Sequence, residues 1–299
     1  MQLLQRGDKI QIVAPARKIS LEELQPSIDY FKNQGVDCYC SDLLFGECHQ
    51  FSGTDELRAK DFQQALDNPE IKAILCARGG YGGIRIIDKL NFSAFAKHPK
   101  WLCGYSDTTV FHAHINQVLN LPSLHCTMPV NIDAESYASA AVNTMWQALT
   151  TGSLHYSVPA SEGNRQGRAQ AKIVGGNLSI LYAVNGSVSD INTDGKILFI
   201  EDLDEYLYHI DRMMLCMKRS GKLSRLKGLI VGGMSDMHDN TVPFGKTAKE
   251  IIYDCVKEYD YPVCFDFPAG HIKDNRALIF NAPAIFNVND TSVTLSISI

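Results

Sequence analysis

The chain predicts an α/β protein: a parallel sheet covered by helices on both faces in its first half, then a second domain. Three observations carry this expectation. Apolar strand-like runs alternate with helical periodicity from Lys9 to Leu119, the rhythm of a doubly covered sheet. Ile71 to Ala77 is continuously apolar, as strands buried on both faces are. The rhythm breaks after Ala140, and 299 residues exceed what one compact core usually organises.

Taken in order, Lys9–Ala14 reads as a short strand ending at Pro15. Leu21–Gln34 has helical periodicity and stops at Gly35, and Val36–Cys40 is a second strand. A helix opens at Thr54 and runs to Asp67; Ile71–Ala77 is the third strand, Arg85–Lys89 is helical and Lys100–Cys103 is the fourth strand. Thr108–Leu119 is the next helix. Residues 1–150 form the first domain on this reading. The polar, Gly-, Ser- and Pro-containing stretch 151–170 is a linker, and 171–299 is the second domain. There, Ala171–Val174, Lys196–Ile200, Gly228–Val231 and Pro262–Phe267 read as strands. Leu178–Val184, Tyr208–Arg219 and Thr247–Tyr259 read as helices, and Ala284–Ile299 alternates like an antiparallel hairpin.

Composition narrows the function classes. A hydrophobic share of 45% with 20% charged residues is that of an ordinary globular protein. Net charge is −5 with no basic run, which argues against a nucleic-acid surface. No stretch approaches the roughly 20 apolar residues of a membrane helix, and the opening MQLLQRGDKIQIVAPA reads as a strand rather than a signal peptide. Nine scattered cysteines, several inside apolar runs, fit buried free thiols in a reducing compartment. A cytoplasmic location is expected, with no metal site.

The segment WLCGYSDTT, Trp101–Thr109, carries the most chemistry. Apolar residues lead into Gly104-Tyr105-Ser106-Asp107 and then into a helix. A serine on such a turn is held clear of the sheet, above free helix N–H groups, the geometry of a nucleophile elbow. Thr108 stands where the usual second glycine would be; the alternative is a serine that merely caps a helix. A serine hydroxyl needs a base, usually histidine, and the histidine needs an orienting acid.

Of nine histidines, His112 and His114 lie two apart on one helix and face different ways. His49, His98 and His155 sit in polar surroundings. His209 reads as structural, His238 is a weak candidate and His125 stays open. His271 stands out, displayed on a glycine turn after a strand in FDFPAGH. For the acid, Glu201 follows the apolar strand Lys196–Ile200 directly and is preferred to Asp202, although solvated strand-end acids are the alternative. The glycine-rich ARGGYGG, residues 77–83, matches neither dinucleotide fingerprint nor P-loop. It suits one wall of an oxyanion hole, with the N–H of Asp107 as the second donor.

With these residues assembled, the chain resembles the LD-carboxypeptidase family, the serine peptidases that include the microcin-immunity hydrolases. GDKIQIVAPA, FSGTDELRAKDFQQAL, ILCARGGYGG, WLCGYSDTT, KIVGGNLSIL, ILFIEDLDEYLYHIDRMM, GLIVGGMSD and FDFPAGHIKDNRAL carry the resemblance in family order over nearly the whole chain. It implies a Rossmann-like parallel-sheet N-terminal domain with a smaller β-rich C-terminal domain. It implies a triad of Ser106 as nucleophile, Glu201 as acid and His271 as base, assembled between the domains, often in a homodimer. Backbone N–H groups of Gly80 and Asp107 would form the oxyanion hole, and no cofactor is implied. The implied substrate is a cytoplasmic murein tetrapeptide losing its terminal D-alanine from an L-centre of diaminopimelate or lysine. Arg78 is expected at the substrate carboxylate and Asn177 along the cleft. Ile279 and Asn281 depart from the proline and glycine usual in the family, which puts the C-terminal strand pairing in question. The same triad on a peptidyl-nucleotide amide, and a non-catalytic peptide binder, are the rival readings.

Overall fold

A computed structural model describes all residues, 1–299. The first sheet contains β1 (Lys9–Val13), β2 (Asp37–Cys40), β3 (Ile71–Cys76), β4 (Trp101–Gly104) and β5 (Ser123–His125). These strands run parallel in the order 2-1-3-4-5. Helices α1 (Leu21–Asn33), α2 (Asp55–Asp67), α3 (Gly83–Ile86), α4 (Ser93–Lys97) and α5 (Thr109–Val118) fill the connections. A capping box between Ser20 and Glu23 starts α1, and Thr54 accepts from the Leu57 amide at the head of α2. The order of the strands, not their direction, reverses between β1 and β3, so a ligand crevice is expected at the carboxyl ends of these strands.

After α6 (Ala140–Thr151) come β6 (Ser153–Pro159), β7 (Gly167–Asn177), α7 (Leu178–Ala183), β8 (Ile197–Leu203), α8 (Leu207–Arg219), β9 (Gly228–Ser235), α9 (Ala248–Val256), β10 (Val263–Cys264), β11 (Leu278–Phe280), β12 (Pro283–Val288) and β13 (Ser292–Ser298). Seven of these strands form the second sheet, in the order β10-β9-β8-β7-β12-β13-β6. Its β7–β10 side is parallel and its β12-β13-β6 side antiparallel. Strand β7 joins the two: residues 167–172 pair with β12, and 173–177 pair with β8.

The structure corrects the sequence reading in two places. Residues 151–170 are not an irregular linker, because Leu154, Tyr156 and Val158 alternate inward along β6 and pair with β13. Period-two burial within a polar composition concealed a strand. The second correction is β11, which leaves the second half of the chain to pair antiparallel with β5 and complete the first sheet. Ile279 lies in that strand, opposite Leu124. Asn281, just beyond it, has φ +58°, the left-handed conformation that glycine suits and that asparagine tolerates. Its side-chain amide donates to Asn120 Oδ1 at 3.0 Å. The departure from the family pattern therefore leaves the turn intact.

Candidate active site

Ser106 stands two residues beyond the end of β4 and has φ +62°. A non-glycine residue there is strained, and strain of this kind concentrates at functional turns. Gly104, with φ +147°, makes the turn feasible: a Cβ there would stand 2.7 Å from Thr108 Oγ1. Thr108 itself has φ −61°, ordinary helical backbone that needs no glycine. Asp107, the next residue after the serine, is buried and accepts the Gly83 amide at 2.7 Å. That bond ties the elbow to the glycine-rich turn. Gly79 of that turn lies so close that a Cβ would come 2.8 Å from Ser106 Oγ. Gly80 lines the same cleft.

Glu201 lies inside β8 rather than after it. The pairing of β8 with β9 shifts register between Ile200 and Asp202, a bulge that re-aims side chains. Glu201 and Asp202 are both buried, as is every residue of β8 before Leu203, a strand covered on both faces. Glu201 Oε2 accepts from His271, with Nδ1 at 2.6 Å and the backbone N–H at 3.1 Å. Its Oε1 has no partner, so these two bonds hold a carboxylate that is costly to bury. Gly270 has φ +99°, and a Cβ on it would stand 2.7 Å from Glu201 Cβ and Oε2. Only glycine lets the loop lie against the acid. Asn275 Oδ1 receives the Gly270 amide at 2.8 Å, and the Tyr105 ring packs on the His271 imidazole with centroids 4.7 Å apart. With Nδ1 engaged, Nε2 is the imidazole nitrogen left for chemistry.

Ser106 and His271 line one cleft of about 490 Å³ without a direct hydrogen bond between them, a common state before substrate tightens the site. One wall carries Arg17 and Arg78 beside Gly79 and Gly80; the other carries Asp202, Asp204 and Glu205. Arg78 donates to Glu23 at 3.0 Å and to the Lys18 carbonyl at 3.3 Å, so it braces the loop while it lines the cleft. Asn177 also reaches the cleft, but its side chain is committed to structure. It caps α7 and donates to Asp202 Oδ1 at 2.8 Å. The Asp202 carboxylate also accepts from the Ser179 and Leu203 amides. Burial, and then the Glu201 charge, push its carboxyl up to about 7. Burial pushes Asp107 up to about 6.

Arg17 escaped the sequence reading, although it follows β1 as Arg78 follows β3. The rim rule applied there to β3 and β4 would have found it on β1. Among the histidines, His112 is buried and bonds the Gly104 carbonyl at 2.9 Å. His125 is buried away from the cleft lining. His155 belongs to β6 and contacts Ser296. His209 and His238 pair with Glu205 and Asp204 at 2.5 Å each. No group of histidines, cysteines and acids has the arrangement of a metal site.

Known proteins share this architecture. Residues 10–126 match the sequence profile of the LD-carboxypeptidase N-terminal domain, and 170–286 match that of the C-terminal domain. A probable murein peptide carboxypeptidase of Bacillus subtilis is 31% identical over 98% of this chain and 92% of its own. The murein tetrapeptide carboxypeptidase of Pseudomonas aeruginosa is 26% identical over 94% of each. The crystal structure of muramoyltetrapeptide carboxypeptidase from Oxalobacter formigenes superposes with a TM-score of 0.87 at 26% identity, covering 97% of this chain and 99% of that one. The microcin C7 self-immunity protein bound to aspartyl sulfamoyl adenosine shares the fold, with a TM-score of 0.85 at 19% identity over 99% and 97% of the two chains. The protein is thus a serine carboxypeptidase. It belongs to the LD-carboxypeptidase family.

Proposed function

We propose that the protein removes the terminal D-alanine of murein tetrapeptides in the cytoplasm by cutting the L,D peptide bond, with Ser106, His271 and Glu201 as its triad. The observation that carries this reading is the Glu201–His271 hydrogen bond facing the same cleft as the strained Ser106. Ser106 Oγ attacks the scissile carbonyl carbon while His271 Nε2 takes its proton. The resulting oxyanion is met by the amides of Asp107 and Gly80. The C–N bond then breaks and His271 protonates the departing amine. Water, deprotonated by His271, attacks the acyl ester, and the proton returns to Ser106 as the peptide leaves.

A carboxypeptidase must recognise a free carboxylate, and Arg17 and Arg78 supply cationic groups beside the glycine turn. The family names of the relatives above support the murein assignment. Homodimerisation is part of the same proposal. Incubation with a purified murein tetrapeptide should yield tripeptide and D-alanine by mass spectrometry. If the tetrapeptide stays intact, the reading is wrong.

A further inference from the structure

Arg58 of α2 is 2% exposed and lies outside the lining of the catalytic cleft. Burying a guanidinium is costly unless its donors meet well-placed acceptors. Its Nη1 donates to two backbone carbonyls at once, that of Pro15 and, at 3.1 Å, that of Gly82. Its Nη2 donates to Asp55, and the Phe51 ring covers the group with its centroid 4.9 Å from Cζ. Nε has no acceptor.

The two carbonyls belong to the two loops that build the cationic wall of the cleft. Pro15 follows β1 and leads to Arg17; Gly82 closes the turn after β3 that carries Arg78, Gly79 and Gly80. A Cβ on Gly82, which has φ +153°, would come 2.6 Å from Arg58 Nη1 and 2.9 Å from the Ala16 Cα. The guanidinium and the two loops therefore meet with no room for a side chain. The Gly83 amide, in turn, donates to Asp107 at 2.7 Å. The Gly82 carbonyl and the Gly83 N–H are the two ends of one peptide group, and a trans peptide points them in opposite directions. Arg58 and the Asp107 carboxylate thus grip one peptide plane from opposite sides. Gly80 lies two residues before that plane, and Asp107 is the residue after the serine.

We propose that Arg58 is a positioning residue of the oxyanion hole: with Asp107 it fixes the Gly82–Gly83 peptide and so keeps the Gly80 amide in register with the Asp107 amide. The inference rests on the serine mechanism proposed above. Oxyanion donors act on charge that develops in the transition state, so loss of Arg58 lowers kcat and leaves KM almost unchanged.

Two variants test this with the murein tetrapeptide. Arg58→Met keeps an apolar stem without donors, and Arg58→Lys keeps the charge without the planar fork that reaches several acceptors. Both should lower kcat by about 10- to 100-fold, the scale of a donor displaced by an ångström, with KM within about twofold of the parent on the same grounds. A peptide bearing a boronic acid in place of the scissile carbonyl forms a tetrahedral adduct with the serine. Its affinity should fall in step with kcat, while the tripeptide product binds as before. Arg85→Ala removes the other guanidinium on Asp55 but no bond to either carbonyl, and should keep the parental kcat.

An unchanged kcat in the Arg58 variants overturns the proposal. So does a rise in KM at constant kcat, which would assign Arg58 to the Arg17 loop instead. A loss of kcat shared by Arg85→Ala overturns it too, as the mark of a merely structural cluster. Should Arg58→Met not fold, Arg58→Lys decides alone. A parent that releases no D-alanine, or a Ser106→Ala enzyme that still does, overturns the serine mechanism and this proposal with it. An active, serine-dependent parent with indifferent Arg58 variants overturns the positioning role alone.

Discussion

Ser106 sits where its backbone is least comfortable, and the Glu201–His271 pair sits where charge is most expensive. Both costs make sense only together. Ser106→Ala should lower D-alanine release by roughly 10,000-fold with an unchanged melting temperature; a mutant that keeps its turnover would remove Ser106 from the mechanism. Glu201→Gln should fold and still lose about 100- to 10,000-fold in kcat, because the amide cannot hold the imidazole in the required tautomer. The neighbouring carboxyls allow a different check. Asp202 at about 7 and Asp107 at about 6 lie above the value near 4 of an unfolded aspartate. The folded protein therefore keeps protons that the unfolded chain has released. This contribution is complete below about pH 4 and disappears as pH rises through 6 and 7. Melting temperature measured from pH 5 to pH 8 should fall less steeply in Asp202→Asn than in the parent, and parallel curves would refute the assignment.

At the scale of elements, the loops that follow strands do the positioning, and the His271 loop is the most exacting. Gly270→Ala would place a methyl group against the Glu201 carboxylate in a conformation that alanine resists. It should cost about 1–3 kcal/mol of stability and most of the activity, read by denaturant unfolding and peptide turnover. Full activity in that variant would mean the loop has another course. Much of this was legible in the residues. The apolar runs of β1, β3 and β4 and the GYSD turn announce themselves, because a buried parallel strand and a tight turn each leave a local signature. Glu201 was legible as a residue but not as geometry, since the His271 that it holds comes from a loop 70 residues further along the chain. Strands β6 and β11 were hidden because they too depend on distant partners. Leu154, Tyr156 and Val158 become a buried face only when β13 is alongside, and three residues of β11 carry no pattern until β5 receives them.

The whole molecule is knit across its two sheets rather than hinged between them. Each of the two large apolar clusters draws buried residues from both halves of the chain. Thr109 Oγ1 at the start of α5 accepts the Asn177 amide of β7 at 3.0 Å. That bond links the helix behind the serine to the strand beside Glu201. Thr109→Val would strand a buried N–H and should cost about 1–3 kcal/mol, with kcat falling more than KM rises if the sheets shift relative to each other. The same knitting predicts the fate of a half-molecule. Leu278, Ile279 and Phe280 are fully buried and cover the edge of β5. A fragment of residues 1–150 would expose that edge and the apolar faces that the second sheet covers, and open strand edges recruit other chains. It should bind hydrophobic dyes, aggregate at micromolar concentration and show no sharp thermal transition. Mixing it with a fragment of residues 151–299 before refolding should restore D-alanine release, because β11 would return to β5 and His271 to Ser106. A soluble, cooperatively folding 1–150 fragment would show instead that the first sheet is complete without its last strand.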